Sequence, residues 1–280
     1  MSRAGLLGYP LSHSVSPAMH NAAFAALELP GRYDLLETPA EELAAAVARL
    51  RQDDWLGANV TIPYKARVIP LLDEIDPSAA GIGAVNTIVC DEQRLIGHNT
   101  DVTGFRVDLR SHGVEIDGDN VVVLGSGGAA RAVTAALIPD GAHIKFITPL
   151  IDEAQRLIED LIVPAGAEAQ ILSWEGGSFA GIGCRLLVNA TPVGMSPDVE
   201  ACPWPQDVFL PAGAFVYDLV YNPAETMLMK RARAEGLESG SGLGMLVEQG
   251  ALAFELWTGE TPPRRVMAAA AQAALEGRRA

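Results

Sequence analysis

Residues 118–148 read GDNVVVLGSGGAARAVTAALIPDGAHIKFIT. The apolar run Val121–Leu124 has the length of a buried strand, and the alanine-rich stretch behind the glycines has the composition of a helix. A second apolar run closes the segment, so it reads as strand, glycine turn, helix, strand, the first unit of a doubly wound α/β fold. The turn itself, Gly125-Ser126-Gly127-Gly128-Ala129-Ala130, fits the spacing G-x-G-x-x-A. Glycines there let the backbone turn tightly and approach a pyrophosphate, while the helix that follows points its first amides at the anion. The plainer reading is a glycine turn that only lets helix and strand pack closely. Further strands are expected at RLLVNAT (185–191) and AFVYDLV (214–220).

The chain before this segment has a different style. GLLGY, RYDLLET, GANVTI, AVNTIV and RLIGHNT read as strands, the last two joined through the polar turn Asp91-Glu92-Gln93. SPAMHNAAFAAL reads as a helix with Ser16 at its N-cap and Pro17 in the first turn. Thr38 and Glu41, with Pro39 between them, read as a capping box opening a helix through EELAAAVARL. A short helix is expected after Pro63. Alternating strands and helices predict a largely parallel sheet. Downstream, the glycine-rich joint Ser239–Gly244 is a candidate hinge, and MLVEQGALAFELWTG and RRVMAAAAQAALEG read as helices packing back on the first lobe. The expected architecture is therefore two-lobed α/β with a cleft: 1–103 with 243–280 as one domain, and 104–242 as a Rossmann-type domain. The final GRRA is expected to fray.

Composition narrows the function. A formal net charge of −15 over 280 residues argues against nucleic-acid and anionic-membrane partners, which call for a basic face. The three cysteines, Cys90, Cys184 and Cys202, form neither a disulfide framework nor a metal-type pair, which suits a reducing, cytoplasmic setting. No stretch has the length of a membrane span or the pattern of a signal peptide. The five histidines show no i, i+4 pair, so no metal is expected.

Polar residues gather where strands end. Ser14 and Ser16 precede a helix: capping accounts for Ser16, whereas a pair of hydroxyls beside free amides suits a small carboxylate. In Asn59-Val60-Thr61-Ile62-Pro63-Tyr64-Lys65 a strand end delivers Asn59 and Thr61, then Lys65, which the helix macrodipole disfavours in a first turn. Asn86 and Asp101 stand at two further strand ends, and for Asp101 the plain alternative is again an N-cap.

These stretches, GYPLSHSVSPAMHN, GANVTIPYK, AVNT, GHNTD, GSGGAARA, NATPVGM, DLVYNP and GLGMLVEQGALAFELWTG, occur in the order and spacing of shikimate dehydrogenases, which the chain resembles from Gly8 to about Gly259. The resemblance implies an N-terminal substrate lobe, a nucleotide lobe, and reversible reduction of 3-dehydroshikimate to shikimate with a nicotinamide nucleotide, on the route to aromatic amino acids. It implies Lys65 and Asp101 as the catalytic pair and Ser14 and Ser16 as the holders of the substrate carboxylate. Asn59, Thr61, Asn86, Tyr221 and Gln249 correspond to positions around the substrate ring. Gly125, Ser126, Gly127, Gly128, Ala129, Thr148, Asn189, Ala190, Thr191, Gly242 and Met245 correspond to cofactor contacts, the last two beside the nicotinamide. Quinate-using members often carry threonine for the second serine, so Ser16 favours shikimate. Quinate or another cyclic hydroxy acid as substrate, or a non-catalytic ligand-binding relative, are the alternatives. Partners are expected to be small molecules, with the chain a monomer or homodimer.

One stretch departs from the family. NADP-using members carry Asn-Arg-Thr after the second strand of the nucleotide lobe and a basic residue three positions on. This chain has Thr148-Pro149-Leu150 and then Glu153. NADP(H) is expected from the resemblance, and NAD(H) or dual use from the arginine missing at Pro149.

Overall fold

A computed structural model describes residues 1–277 and divides the chain into two compact units, Met1–Gly104 with the segment from Leu246 onward, and Phe105–Met245. The first unit is built on a six-stranded sheet of order β2-β1-β3-β5-β6-β4. Its strands are β1 (Ser2–Gly8), β2 (Gly31–Glu37), β3 (Gly57–Val60), β4 (Glu74–Ile75), β5 (Thr87–Asp91) and β6 (Arg94–His98). β2, β1 and β3 run parallel, whereas β5 is antiparallel to both its neighbours. The sheet is thus mixed, because β5 and β6 form a hairpin rather than a crossover. Glu92 and Gln93 make its tight turn in left-handed conformations, at φ 46° and 68°, the backbone that a two-residue hairpin requires.

Helices α1 (Ser16–Ala26), α2 (Leu43–Arg49), α3 (Pro77–Ala80), the start of α4 (Asp101–Ser111), most of α9 (Leu243–Thr258) and α10 (Arg264–Glu276) complete this unit. Leu7, Val47, Leu50, Ala58, Tyr64, Val68, Val85, Ile88 and Leu95 form a buried cluster. Removing each large side chain of this set from water contributes about 1.5–3 kcal/mol.

The second unit holds an all-parallel sheet of order β12-β11-β10-β7-β8-β9. Its strands are β7 (Asn120–Leu124), β8 (His143–Ile147), β9 (Ala169–Leu172), β10 (Leu186–Asn189), β11 (Phe215–Asp218) and β12 (Ser239–Ser241), with helices α5 (Gly128–Leu137), α6 (Ile151–Leu157), α7 (Gly176–Phe179) and α8 (Met227–Ala234). Val121 to Leu124 are wholly buried, as expected for a central parallel strand covered on both faces. Among the described residues no helix is long and apolar enough to cross a membrane.

Several local expectations are overturned. The capping box at Thr38 does not form: Thr38 Oγ1 donates to Leu36 O at 2.8 Å, and its carbonyl accepts the Tyr64 hydroxyl at 2.6 Å. The segment instead begins as a 3₁₀ turn, Ala40–Glu42, with Pro39 as its cap. The joint at Ser239–Gly244, expected as a glycine-rich connection, is regular secondary structure. It is strand β12 paired with β11, running into the first turn of α9. Its glycines serve close packing, since a Cβ on Gly242 would collide with the Leu219 carbonyl and one on Gly244 with the Asp108 carboxylate. Of the tail expected to fray, residues 278–280 lie outside the described residues.

Candidate active site

In the first unit, the carboxyl ends of β1 and β3, the start of β5 and the end of β6 share one edge of the sheet, as the register Asn59↔Thr87↔His98 requires. Ser14, Ser16, Asn59, Thr61, Lys65, Asn86 and Asp101 stand on the strand ends, loops and helix starts at that edge, the usual location for ligands in open α/β sheets. Lys65 Nζ lies 2.7 Å from Asp101 Oδ2, with side-chain exposures of 19% and 7%. Asn86 Nδ2 donates to the other carboxylate oxygen, Asp101 Oδ1, at 2.9 Å, and lies within 3.2 Å of Gln249 Oε1. Asn86 Oδ1 in turn accepts the Thr100 amide at 2.8 Å. Behind it, Asn59 Nδ2 donates to Thr87 Oγ1 at 3.1 Å, and the buried Tyr33 hydroxyl donates to Asn59 Oδ1 at 2.8 Å. Each buried polar group named here is paired, which makes the cluster stiff.

Three sequence expectations change at this edge. Asp101 is not the cap of α4. Asn99 Oδ1 accepts the amides of Asp101 and Val102 at 3.0 and 3.4 Å, while Asn99 Nδ2 donates to Ala84 O at 2.9 Å. The Asp101 carboxylate is therefore released for Lys65. Asn99 was detectable only as a residue as suited to capping as Asp101. Ser16 is not the cap of α1 either. The first intrahelical bond runs from Met19 N–H to Val15 O, so Val15 is the cap, and the Ser16 amide is taken by Ser14 Oγ at 3.2 Å. Lys65 does not stand in a helix: the chain after Pro63 makes turns before a 3₁₀ segment at Ile69–Leu71. No helix macrodipole therefore acts on Lys65, whose position is fixed by its ion pair with Asp101.

In the second unit, Gly125 takes φ 95°, and a Cβ there would meet Thr191 Cγ2 at 2.9 Å and Ala190 O at 3.3 Å. Gly127 caps α5 with open space where its side chain would stand. The first amides of this ten-residue helix, together with a glycine loop that lets an anion approach, suit the pyrophosphate of a dinucleotide. Asn189 is buried and shapes the neighbouring loop: its Oδ1 accepts from the Thr191 amide and hydroxyl at 3.0 and 2.7 Å, and its Nδ2 donates to Asp218 Oδ1 at 2.8 Å. Asp218 also receives bonds from Thr226 Oγ1 and the Val220 amide, yet burial dominates and pushes its carboxyl up to about 6. Thr148 is wholly buried. Its Oγ1 lies 3.2 Å from Ser126 Oγ and accepts the Leu150 amide at 3.0 Å, tying the turn after β8 to the glycine loop. Ala190, Gly242 and Met245 belong to this unit, as does Tyr221, whereas Gln249 belongs to the first.

The chain matches the family model described as the shikimate dehydrogenase substrate binding domain over residues 6–88, and that of the shikimate 5'-dehydrogenase C-terminal domain over residues 242–272. It is 47% identical over 277 residues to the shikimate dehydrogenase (NADP(+)) of Symbiobacterium thermophilum, covering 98% of this chain and 94% of that protein. The structure of shikimate 5-dehydrogenase from Thermus thermophilus in complex with NADP(H) and shikimate superposes with a TM-score of 0.87 at 40% identity, covering 98% of this chain and 100% of that one. The shikimate 5-dehydrogenase of Listeria monocytogenes, solved with shikimate and NAD, gives 0.85 at 34% identity, with 95% of each chain covered.

Proposed function

This chain belongs to the shikimate dehydrogenase family, and on that premise we propose that Lys65 and Asp101 are the acid–base pair of its reaction. The enzyme is an NADP(H)-dependent oxidoreductase that reversibly reduces 3-dehydroshikimate to shikimate. The bound nucleotide supplies or accepts the hydride. As the ketone is reduced its oxygen gains negative charge, and a proton donated there speeds the step by a factor of about 10²–10⁴. Lys65 is that donor in our reading, and takes the proton back in the oxidising direction.

The observation that carries this is how Asp101 is occupied. One carboxylate oxygen holds Lys65 Nζ at 2.7 Å and the other holds Asn86 Nδ2 at 2.9 Å. Asp101 is thereby committed to orienting the lysine, while an ammonium keeps two further N–H donors for the substrate oxygen. Ser14 and Ser16 bind the substrate carboxylate, and Asn59, Thr61, Asn86 and Gln249 its ring. Gly125–Ala129 would hold the nucleotide, with Asn189–Thr191, Gly242 and Met245 completing its site and Thr148 tying the turn after β8 to the glycine loop. Residues 1–103 and 243–280 act as the substrate domain, and 104–242 as the nucleotide domain. The acidic chain, at net charge −15, works in the cytoplasm as a monomer or homodimer on small molecules, with no nucleic-acid partner.

Lys65→Ala should lower kcat by about 10²–10⁴ and leave the shikimate KM within a few-fold, because the lost interaction develops only in the transition state. Steady-state kinetics decides this: a variant with near-normal kcat removes Lys65 from the mechanism.

A further inference from the structure

In a doubly wound sheet the adenosine ribose sits at the end of the strand that follows the glycine-loop helix, here β8. A 2′-phosphate is gripped at that place by an arginine fork, whereas a free ribose hydroxyl is met by a carboxylate. The residues leaving β8 are Thr148, Pro149 and Leu150, followed by Ile151, Asp152 and Glu153 in the first turn of α6. Thr148 is wholly buried and its hydroxyl is engaged with Ser126 and the Leu150 amide. Outward-facing here are Leu150 and Ile151, 51% and 41% exposed, with two acids beside them.

Neither of the arginines closest along the chain belongs to this turn. Arg131, on α5, donates to Asp160 Oδ2 at 2.8 Å with its side chain only 16% exposed. Arg156 stands in the last turn of α6, its Nε donating to Asp152 O at 3.2 Å. The glycine loop thus fits a pyrophosphate, while the turn after β8 does not fit a 2′-phosphate.

We propose that this chain does not select for the 2′-phosphate, so that NAD is a working coenzyme alongside NADP. The adenosine end rests on the apolar surface of Leu150 and Ile151, and its affinity comes from that contact and the glycine loop. A charge-assisted arginine–phosphate contact is worth about tenfold to a hundredfold in affinity, and nothing at this turn supplies it. Asp152 and Glu153 act against the extra charge, most strongly at low salt. The inference rests on reading Gly125–Ala129 as the nucleotide loop.

Binding is to be measured by calorimetry on the whole chain with 5′-AMP and adenosine 2′,5′-bisphosphate, at low and physiological salt. The two Kd values should agree within about threefold, a gap smaller than one arginine contact produces. kcat/KM for shikimate oxidation with NAD and with NADP should agree to the same degree. Pro149→Arg, at an exposed position, should tighten the bisphosphate about tenfold and leave 5′-AMP unchanged. A bisphosphate bound tenfold or more tightly by the unaltered chain overturns the proposal, and loss of that preference in Arg131→Ala would identify the group responsible. If neither nucleotide binds, the loop reading fails and the inference falls with it. If both bind equally but shikimate is not turned over with either coenzyme, the lack of selection for the 2′-phosphate stands, while the assigned reaction, and NAD as its working coenzyme, fail.

Discussion

Asn99 is the residue on which the acid–base pair depends without touching the substrate in our reading. By accepting the amides of Asp101 and Val102 it caps α4, which leaves the Asp101 carboxylate to face Lys65 and Asn86. Remove that acceptor and Asp101, itself a good capping residue, is drawn toward its own helix end. Asn99→Ala should therefore lower kcat about tenfold to a hundredfold, the scale of a misplaced catalytic group, with a smaller effect on KM. Asn99→Ser keeps a short acceptor and should recover most of kcat. Both variants lose the bond to Ala84 O, so their difference isolates the cap. Equal kcat in the two would refute the idea. Lys65 and Asp101 could be picked out from the family pattern, whereas this partition between Asn99 and Asp101 could not. Three residues of capping type, Asn99, Thr100 and Asp101, stand in a row at one helix start, and only the fold selects among them.

Among the elements, the β7–loop–α5–β8 unit was the most fully readable, because an apolar strand, a glycine turn and an alanine-rich helix agree on one structure. The conformation inside the turn carries the nucleotide reading. Gly125 at φ 95°, against Thr191 and Ala190, tolerates no side chain without strain. Gly125→Ala should cost about 1–3 kcal/mol in stability and weaken nucleotide binding at least tenfold, read by chemical denaturation and by titration. Unchanged affinity would reduce the loop to a packing turn. Helix starts were the least readable elements. The Thr38–Glu41 pattern was satisfied in sequence, but Thr38 commits its hydroxyl to Leu36 O and its carbonyl to the Tyr64 hydroxyl, 26 residues away. Tertiary partners outcompete a cap worth about 1 kcal/mol.

At the scale of the whole molecule, acid stability turns on groups that folding buries. His20 lies wholly inside the first unit, its ring stacked on Tyr33 at 4.2 Å between centroids and 6.3 Å from Phe254. Neither ring nitrogen meets a hydrogen-bond partner among the described residues. Burial lowers its pKa from 6.5 to about 3. Between those values the unfolded chain carries a proton that the folded chain refuses, so this stability is full above pH 6.5 and lost as pH falls toward 3. Asp218 works in the opposite sense. Its folded pKa is raised from 3.8 to about 6, so it takes up a proton on folding in that window and its contribution is lost as pH rises through it. His20→Phe keeps the stacked ring and removes the titration. From about pH 7 to about pH 4.5 the unaltered protein should lose about 2–3 kcal/mol relative to this variant in urea unfolding, and parallel pH profiles would show that His20 does not titrate in this way.

The alternation of apolar runs with glycine and proline punctuation was enough to determine an α/β chain with a parallel nucleotide-type sheet, because burying strands between helices leaves few other solutions for that pattern. The family pattern carried the candidate residues, and the residues after β8 carried the coenzyme question, since neutral and acidic side chains cannot form a cationic grip in any fold. Tertiary structure alone decided that β5 pairs antiparallel with β3, that Ser239–Gly244 is a strand and helix start packed against Leu219 and Asp108, and which polar atoms meet at the Lys65 edge. Those outcomes depend on pairings between segments far apart in sequence, such as Asn86 with Gln249. Local propensity is blind to them, and the penalty for leaving a buried polar group unpaired makes them decisive.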